Sequence, residues 1–470
     1  DPYANLTALT DALGHTTQFA YDPLGNIVAK GDAADRRTLY RYDAKGRLLA
    51  VRTPGGSTIQ CAYDGADNLV EHVDANGAKT RLDYAGLGRL VRRRDPDGSS
   101  VEYQYDSEER LCGVRNQRGE SHLLLRDPLG RVIEEVEYWG QSRRYAYDAS
   151  GFLVASLDAL NRRIDYTTDP LGRVRRKVSG RLGASGDDRQ TWEETFTFDG
   201  AGHLLEAANP HAKVVRSVDL EGRPLKEEQL HADGWRFVVE SAYDATGNRV
   251  RRASSGDGAA HVVEFTYDLV NQCTAVRIDG ADPVHLHRDA LGRVTHTRFT
   301  ADLEQARHYD QEGMLAAQVV SAQGVQAFAT RYEYDRAGNL TTRDDSAWGI
   351  DRYLHDPLGR VTEHIDPQRV VHRFLHDPAG DLLRTRVTNT AAGDWQREGE
   401  FEGTQYRFDR AGNLVARQDG AERLDLAWDD QQRLVASRRT LRGGSATATL
   451  YAYDPLGRRL YKETDGQRTR

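Results

Sequence analysis

One six-letter phrase governs what this chain can fold into. "YDPLGN" at Tyr21–Asn26 returns as "YDAKGR", "RDPLGR", "TDPLGR", "HDPLGR" and "YDPLGR" along the 470 residues. The Asp of the phrase falls at Asp22, Asp43 and Asp64, then Ala85 takes its place, then come Asp106, Asp127, Asp148 and Asp169, every step being 21 residues. Twelve later copies, from Asp199 through Asp289, Asp335, Asp356 and Asp377 to Asp454, keep the phrase while the spacing varies, giving 20 copies in all. A catalytic site needs its special residues once. A part used 20 times is architectural.

A second phrase sits 11 residues before each early copy: "DALG" at Asp11, "DAAD" at Asp32, "TPGG" at Thr53, "DANG" at Asp74, "DPDG" at Asp95, "NQRG" at Asn116 and "DALN" at Asp158. One member, "EYWG" at Glu137, keeps only the Gly. Both phrases carry turn chemistry. Asp or Asn in first place bonds backbone amides further on, Pro in second place presets φ, and Gly in fourth place accepts the positive φ of a type I turn with a G1 bulge. The expected turn pairs are therefore Asp22/Gly25, Asp43/Gly46, Asp127/Gly130, Asp148/Gly151, Asp169/Gly172, Asp289/Gly292, Asp335/Gly338, Asp356/Gly359, Asp377/Gly380 and Asp454/Gly457. Gly is expected to matter more than Asp. Asp67 and Asn271 replace it with residues that visit the left-handed region, whereas Glu109 and Gln432 predict altered turns.

Between turns lie segments of about seven and six residues, the length of strands. Thr17, Phe19 and Tyr21 alternate with Gln18 and Ala20, and Ile59, Cys61 and Tyr63 repeat the pattern. Period two with β-branched and aromatic residues predicts strands. Each repeat is then a hairpin, and the fold class is all-β: tandem antiparallel hairpins in one continuous array over residues 1–470. Apolar residues make up only 38% and charged ones 29%, too lean for a thick core. A propeller would need ten four-stranded blades, and tight turns do not suit a parallel β-helix. A spiralling single-layer wall around a hollow remains. At two strands per repeat the strip is roughly 190 Å long and 20 Å wide. Closed into a sphere it would have a radius of about 18 Å, too small for a folded domain of about 100 residues. An open piece of wall is expected. Insertions at 179–194 ("SGRLGASGDDRQTWEE") and 388–403 ("TNTAAGDWQREGEFEG") are expected to be loops on a strip edge.

The "YDxxGR" phrase at this period resembles the YD repeats of the bacterial Rhs family, and more distantly those of toxin-complex C subunits and teneurins. The resemblance implies a β-cage whose wall encloses and shields the C-terminal toxin of a polymorphic effector. It further implies secretion by a type VI machine, with a PAAR-type cap and spike protein as partners. In the family a "DPxGL" motif ends the core and marks self-cleavage. Here the fifth letter is Asn26, Arg131, Arg173, Arg360, Asp381 or Arg458, never Leu. Cleavage motif, toxin and cap are thus expected outside this segment, which opens at Asp1 without a Met. A surface adhesin or carbohydrate-binding repeat protein is the alternative.

No enzyme, cofactor or metal is expected. Asp in the phrase serves the turn rather than calcium. His285 with His287, and the group His355, His364, His372 and His376, lack zinc-ligand spacing. The pairs Asp187–Asp188, Asp344–Asp345 and Asp429–Asp430 point apart as adjacent loop residues do. The cysteines Cys61, Cys112 and Cys273 form no framework. The 64 basic and 72 acidic residues are mixed, which argues against nucleic acid, and no apolar run reaches membrane-span length.

Overall fold

The computed structural model describes residues 1–181, 192–256, 258, 260–382, 386–390, 396–401 and 403–470. Regular structure among them is entirely β-strand. Each strand pairs antiparallel with its predecessor and its successor in the chain, as in Ala8–Thr10 on Thr16–Tyr21 on Ile27–Gly31 on Arg37–Tyr42. This ladder runs through 34 strands to Val371–Arg373, and a second run of nine extends from Arg386–Thr390 to Gln467–Thr469. Between the runs a bridge joins His376 to Leu382 across the Asp377 turn.

Six-residue and five-residue strands alternate in the regular region, each segment losing a residue to its corner. Within Arg37–Tyr42 the odd positions are exposed, whereas Thr38, Tyr40 and Tyr42 are half-buried. A register shift precedes the phrase in most repeats, as at Ala20/Tyr21, Arg41/Tyr42 and Leu125/Arg126, which is the bulge that a positive-φ corner requires.

The wall is one layer thick. Only ten apolar residues are buried among the described ones, and six of them are alanines. The accessible surface is 27948 Å², against about 17,600 Å² for a compact monomer of this mass. Both faces of the sheet meet solvent.

The strip also meets itself. Thr53 donates to Glu312 and Asn76 to Asp335, in each case 259 residues on. Arg360 lies 3.2 Å from Asp97, 263 residues earlier. These contacts join a second-phrase corner of an early repeat to a first-phrase corner of a late one. The strip is therefore a coil whose two rims touch. The Asp74 corner follows the seventh strand and the Asp335 corner the thirtieth, so one circuit takes 30 − 7 = 23 strands. At about 4.8 Å per strand the circuit is about 110 Å round and about 35 Å across. The 43 strands among the described residues make nearly two circuits.

Two expectations need correction. Insertion 388–403 is partly wall: Gln396–Phe401 pairs on both sides, with Arg386–Thr390 and Thr404–Phe408. Insertion 179–194 likewise lengthens the strands Val174–Arg181 and Trp192–Phe198, whose ladder reaches Ser179 opposite Trp192. Asp344–Asp345 ends a strand rather than lying in a loop, and Asp345 accepts from Thr330 and from the amides of Ala347 and Trp348. Backbone pairing satisfies polar residues without burying them, so Gly-rich, charged sequence can still be strand at a rim. Asp187–Asp188 lie outside the described residues.

Candidate functional site: the corners and the seam

At Asp22 one carboxylate oxygen accepts the amides of Leu24 and Asn26, both at 2.9 Å, and the Gly25 amide donates to the Asp22 carbonyl at 3.0 Å. The same backbone closure recurs at Asp43, Asp127, Asp148, Asp169, Asp289, Asp335, Asp356, Asp377 and Asp454. Gly25, Gly46, Gly130, Gly151, Gly172, Gly292, Gly338, Gly359, Gly380 and Gly457 all have φ between 76 and 99°. Glu109 and Gln432 stand at φ 60° and 62° with the same closing bonds to Asp106 and Asp429. Those turns are not altered, contrary to expectation. Their capping bonds outweigh the roughly 1–2 kcal/mol a side chain loses in the left-handed region.

The fifth letter explains why Arg recurs. Nε of Arg47, Arg131, Arg173, Arg293, Arg360 and Arg458 donates to the second oxygen of its own turn Asp at 2.6–2.8 Å. The far end of the guanidinium reaches the next repeat. Arg47 donates to the carbonyl of Asp64, Arg131 to that of Asp148, Arg173 to that of Asp199 and Arg360 to that of Asp377. It also lies over the next aromatic ring, Arg47 over Tyr63 at 5.1 Å and Arg131 over Tyr147 at 4.9 Å. The Tyr of the phrase reaches backwards: Tyr21, Tyr147 and Tyr309 donate to the carbonyls of Leu6, Val132 and Val294, each 15 residues earlier. Each phrase is thus tied to the one before and the one after. The sequence reading placed Tyr in the strand pattern and gave Arg no role, so it missed these ties, although both letters recur with the turn.

Bonding holds the carboxylates of several corners below the ordinary Asp range. At Asp43 the Arg47 amide is the chief cause of a lowered pKa, and at Asp22 it is the Asn26 side chain. Asp244 is lowered to about 2, first by the Thr246 hydroxyl. At Asp127 and Asp169 burial pushes upward, and bonds from Arg131 and Arg173 outweigh it.

Along the seam the corners at Asp335, Asp356, Asp377 and Asp454 meet the first circuit. Arg118 bonds Asp377 at 2.8 Å and also Asp381, and Arg162 donates to the Asp429 carbonyl at 2.9 Å. Glu194, fully buried, takes Gln431 and Lys177 at 2.9 Å and Arg433 at 3.2 Å. Asp454, also fully buried, accepts from Gln229, while Arg458 bonds Glu227 at 2.6 Å. Every charge here is compensated, as burial demands. The corners at Asp22, Asp127 and Asp169 lie on the opposite, free rim, with Leu24, Leu129 and Leu171 exposed.

Three of the clustered histidines are engaged by neighbours on the wall. His364 stacks between Tyr353 and His372 and bonds Asp351 at 2.7 Å, His372 bonds Asp366, and His376 bonds the Val361 carbonyl. Nε2 of His364, Nε2 of His372 and both ring nitrogens of His376 are hydrogen-bonded. Asp429 caps its own turn through the amides of Gln431 and Arg433.

The profile of the RHS Repeat family matches residues 5–36, 21–58 and 84–121, and that of the Teneurin YD-shell matches residues 253–460. Among curated proteins, Toxin protein Tse5 of Pseudomonas aeruginosa is 30% identical over 309 residues, covering 57% of this chain and 23% of that protein. The chain belongs to the Rhs/YD-repeat family. A second relative, Probable deoxyribonuclease RhsA of Dickeya dadantii, is 29% identical over 216 residues, covering 43% of this chain and 14% of its own length. This Rhs chain therefore spans less than a quarter of the curated relatives it matches. A solved Tc holotoxin pore of Photorhabdus luminescens shares the fold, with a TM-score of 0.57 at 12% identity over 96% of this chain and 29% of its own. The coil is a wall of Rhs/YD repeats.

Proposed function

We propose that this segment is part of a wall that encloses and shields a toxin carried by the same polypeptide, for delivery into a target cell. The observation that carries this reading is the closed seam. A repeat array used only as a binding surface has no need to bond its rims together, whereas a container does. The wall acts mechanically in this reading, and the chemistry belongs to the cargo. Export through a type VI machine, with a PAAR-type cap and spike as partners, completes the proposal. The circuit is about 35 Å across between wall centres, leaving about 25 Å inside a wall about 10 Å thick, less than a folded 100-residue domain needs. More wall than this segment must contribute to the chamber.

Limited proteolysis of the full-length protein tests it. The C-terminal region should resist cleavage until acid or denaturant opens the wall. Equal cleavage rates for that region within the native protein and expressed alone would refute encapsulation.

A further inference from the structure

The second-phrase corner at "EYWG", whose Glu carboxylate leaves the turn for a histidine, points to a metal site. At Asn116 the side-chain oxygen accepts the amides of Arg118 and Glu120, both at 3.0 Å. At the next such corner, "EYWG", the backbone closure is kept, with Glu137 bonded to Gln141 at 2.9 Å and Gly140 to Glu137 at 2.7 Å. The Glu137 carboxylate has turned away to His122, 3.3 Å from its Nδ1. Glu135 approaches the same ring, 3.3 Å from Nε2.

Register explains the convergence. Leu123 pairs with Val136, so His122 sits opposite Glu137, and Glu135 is two residues back on the same face. One ligand atom from each of the three lies within 4.8 Å of the others, the only such group among the described residues. In the three preceding repeats the His122 position holds Val101, Thr80 and Ile59, and the Glu135 position holds Val114, Arg93 and His72. The triad is therefore particular to this repeat.

We infer that His122, Glu135 and Glu137 bind a divalent transition ion of the zinc class. One imidazole nitrogen and two carboxylates suit that ion, whose ligands stand about 2.0–2.2 Å away and so about 3.3 Å from one another. The atoms need to close by up to about 1.5 Å. A supporting shell is already in place: the Tyr145 hydroxyl donates to the second oxygen of Glu135 at 3.0 Å, and Tyr138 packs edge-on against the His122 ring. Glu137 also lines a groove of about 620 Å³ in the seam, together with Arg118, Tyr138 and Asp381, so the ion has an entry path and an open position for water. Glu120, the other carboxylate nearby, is held by Asn116 at 2.8 Å and is not part of the set.

Titration calorimetry of the chelator-stripped chain with zinc chloride tests this. One zinc per chain should bind, and His122→Val should abolish it. Glu137→Asp restores the turn residue used at most other corners, so it should fold at least as well yet weaken zinc at least tenfold. Tyr145→Phe should weaken zinc by roughly tenfold through the supporting shell. Cobalt should give a visible spectrum without a thiolate band, excluding Cys112 on the neighbouring strand. Stoichiometric zinc that survives both His122→Val and Glu137→Asp, a thiolate band, or no zinc uptake by the parent chain would each overturn the assignment. In the last case the cluster is an ion-paired histidine only.

Discussion

The same five letters, "DPLGR", stand at Asp127–Arg131 and at Asp454–Arg458. Their local geometry is the same: Asp accepts from the amide two residues on and from that of the Arg, Gly is at positive φ, and Arg Nε donates back at 2.7 Å. Their surroundings are opposite. On the free rim Leu129 is 77% exposed and Arg131 turns sideways to the next repeat. At the seam Asp454 is 0% exposed, Leu456 is half-buried, and Arg458 crosses to Glu227 on the other circuit. One motif makes corners on both rims. Whether it also joins circuits depends on what lies opposite.

The sharpest way to break that comparison is Asp454→Ala against Asp127→Ala. Removing Asp454 leaves Gln229 and the amides of Leu456 and Arg458 without their buried acceptor, at about 1–3 kcal/mol each, while Arg458 keeps Glu227. Removing Asp127 opens exposed and half-buried bonds at a corner that solvent can reach, worth about 1 kcal/mol in net terms. Urea midpoints that fall equally would mean the seam adds nothing to stability.

Next comes Gly172→Val against Asp169→Ala. Gly172 has φ +79°, and an added Cβ would stand 2.5 Å from the Phe152 ring. Left-handed strain and overpacking together should cost about 2–4 kcal/mol, against about 1–2 kcal/mol for the lost Asp bonds. A worse melt for the Asp variant would mean that side-chain capping, not backbone conformation, sets the corner.

Leu456→Ser and Leu129→Ser sharpen the comparison at smaller scale. Half-burial predicts about 1 kcal/mol for the first, while an exposed position should stay within about 0.5 kcal/mol. Thermal melts of the two variants read this directly.

The smallest effect concerns acid. Asp244 titrates at about 2 in the folded chain against an ordinary 3.8, so its bonds to Thr246 and Asn248 stabilise the fold above pH 4. That contribution is lost as pH falls from about 4 through 2. Asp244→Asn should flatten the acid limb of the stability curve slightly. An unchanged limb would show that this exposed corner is not coupled to folding.

Much of the wall was legible beforehand because its determinants are local. A turn Asp, a positive-φ Gly and a period-two strand act within six residues, so a 21-residue step in the letters is a 21-residue step in space. The departure at "EYWG" was visible too, but nothing in the letters singles out its partner His122, because only the register brings it opposite Glu137. Insertion 388–403 was misread as loop since pairing, not composition, makes Gln396–Phe401 a strand.

The sequence by itself determined that this protein is a ladder of hairpins, and it placed nearly every corner. Only the tertiary structure decided that the ladder coils with 23 strands to the circuit, that Asp454 is buried while Asp127 is not, and that Glu194 meets Arg433. The reason is one of range. Corner chemistry is fixed by bonds spanning two to four residues, whereas curvature sums a small twist over dozens of strands. It brings together residues about 260 apart that carry no mark of each other in the letters.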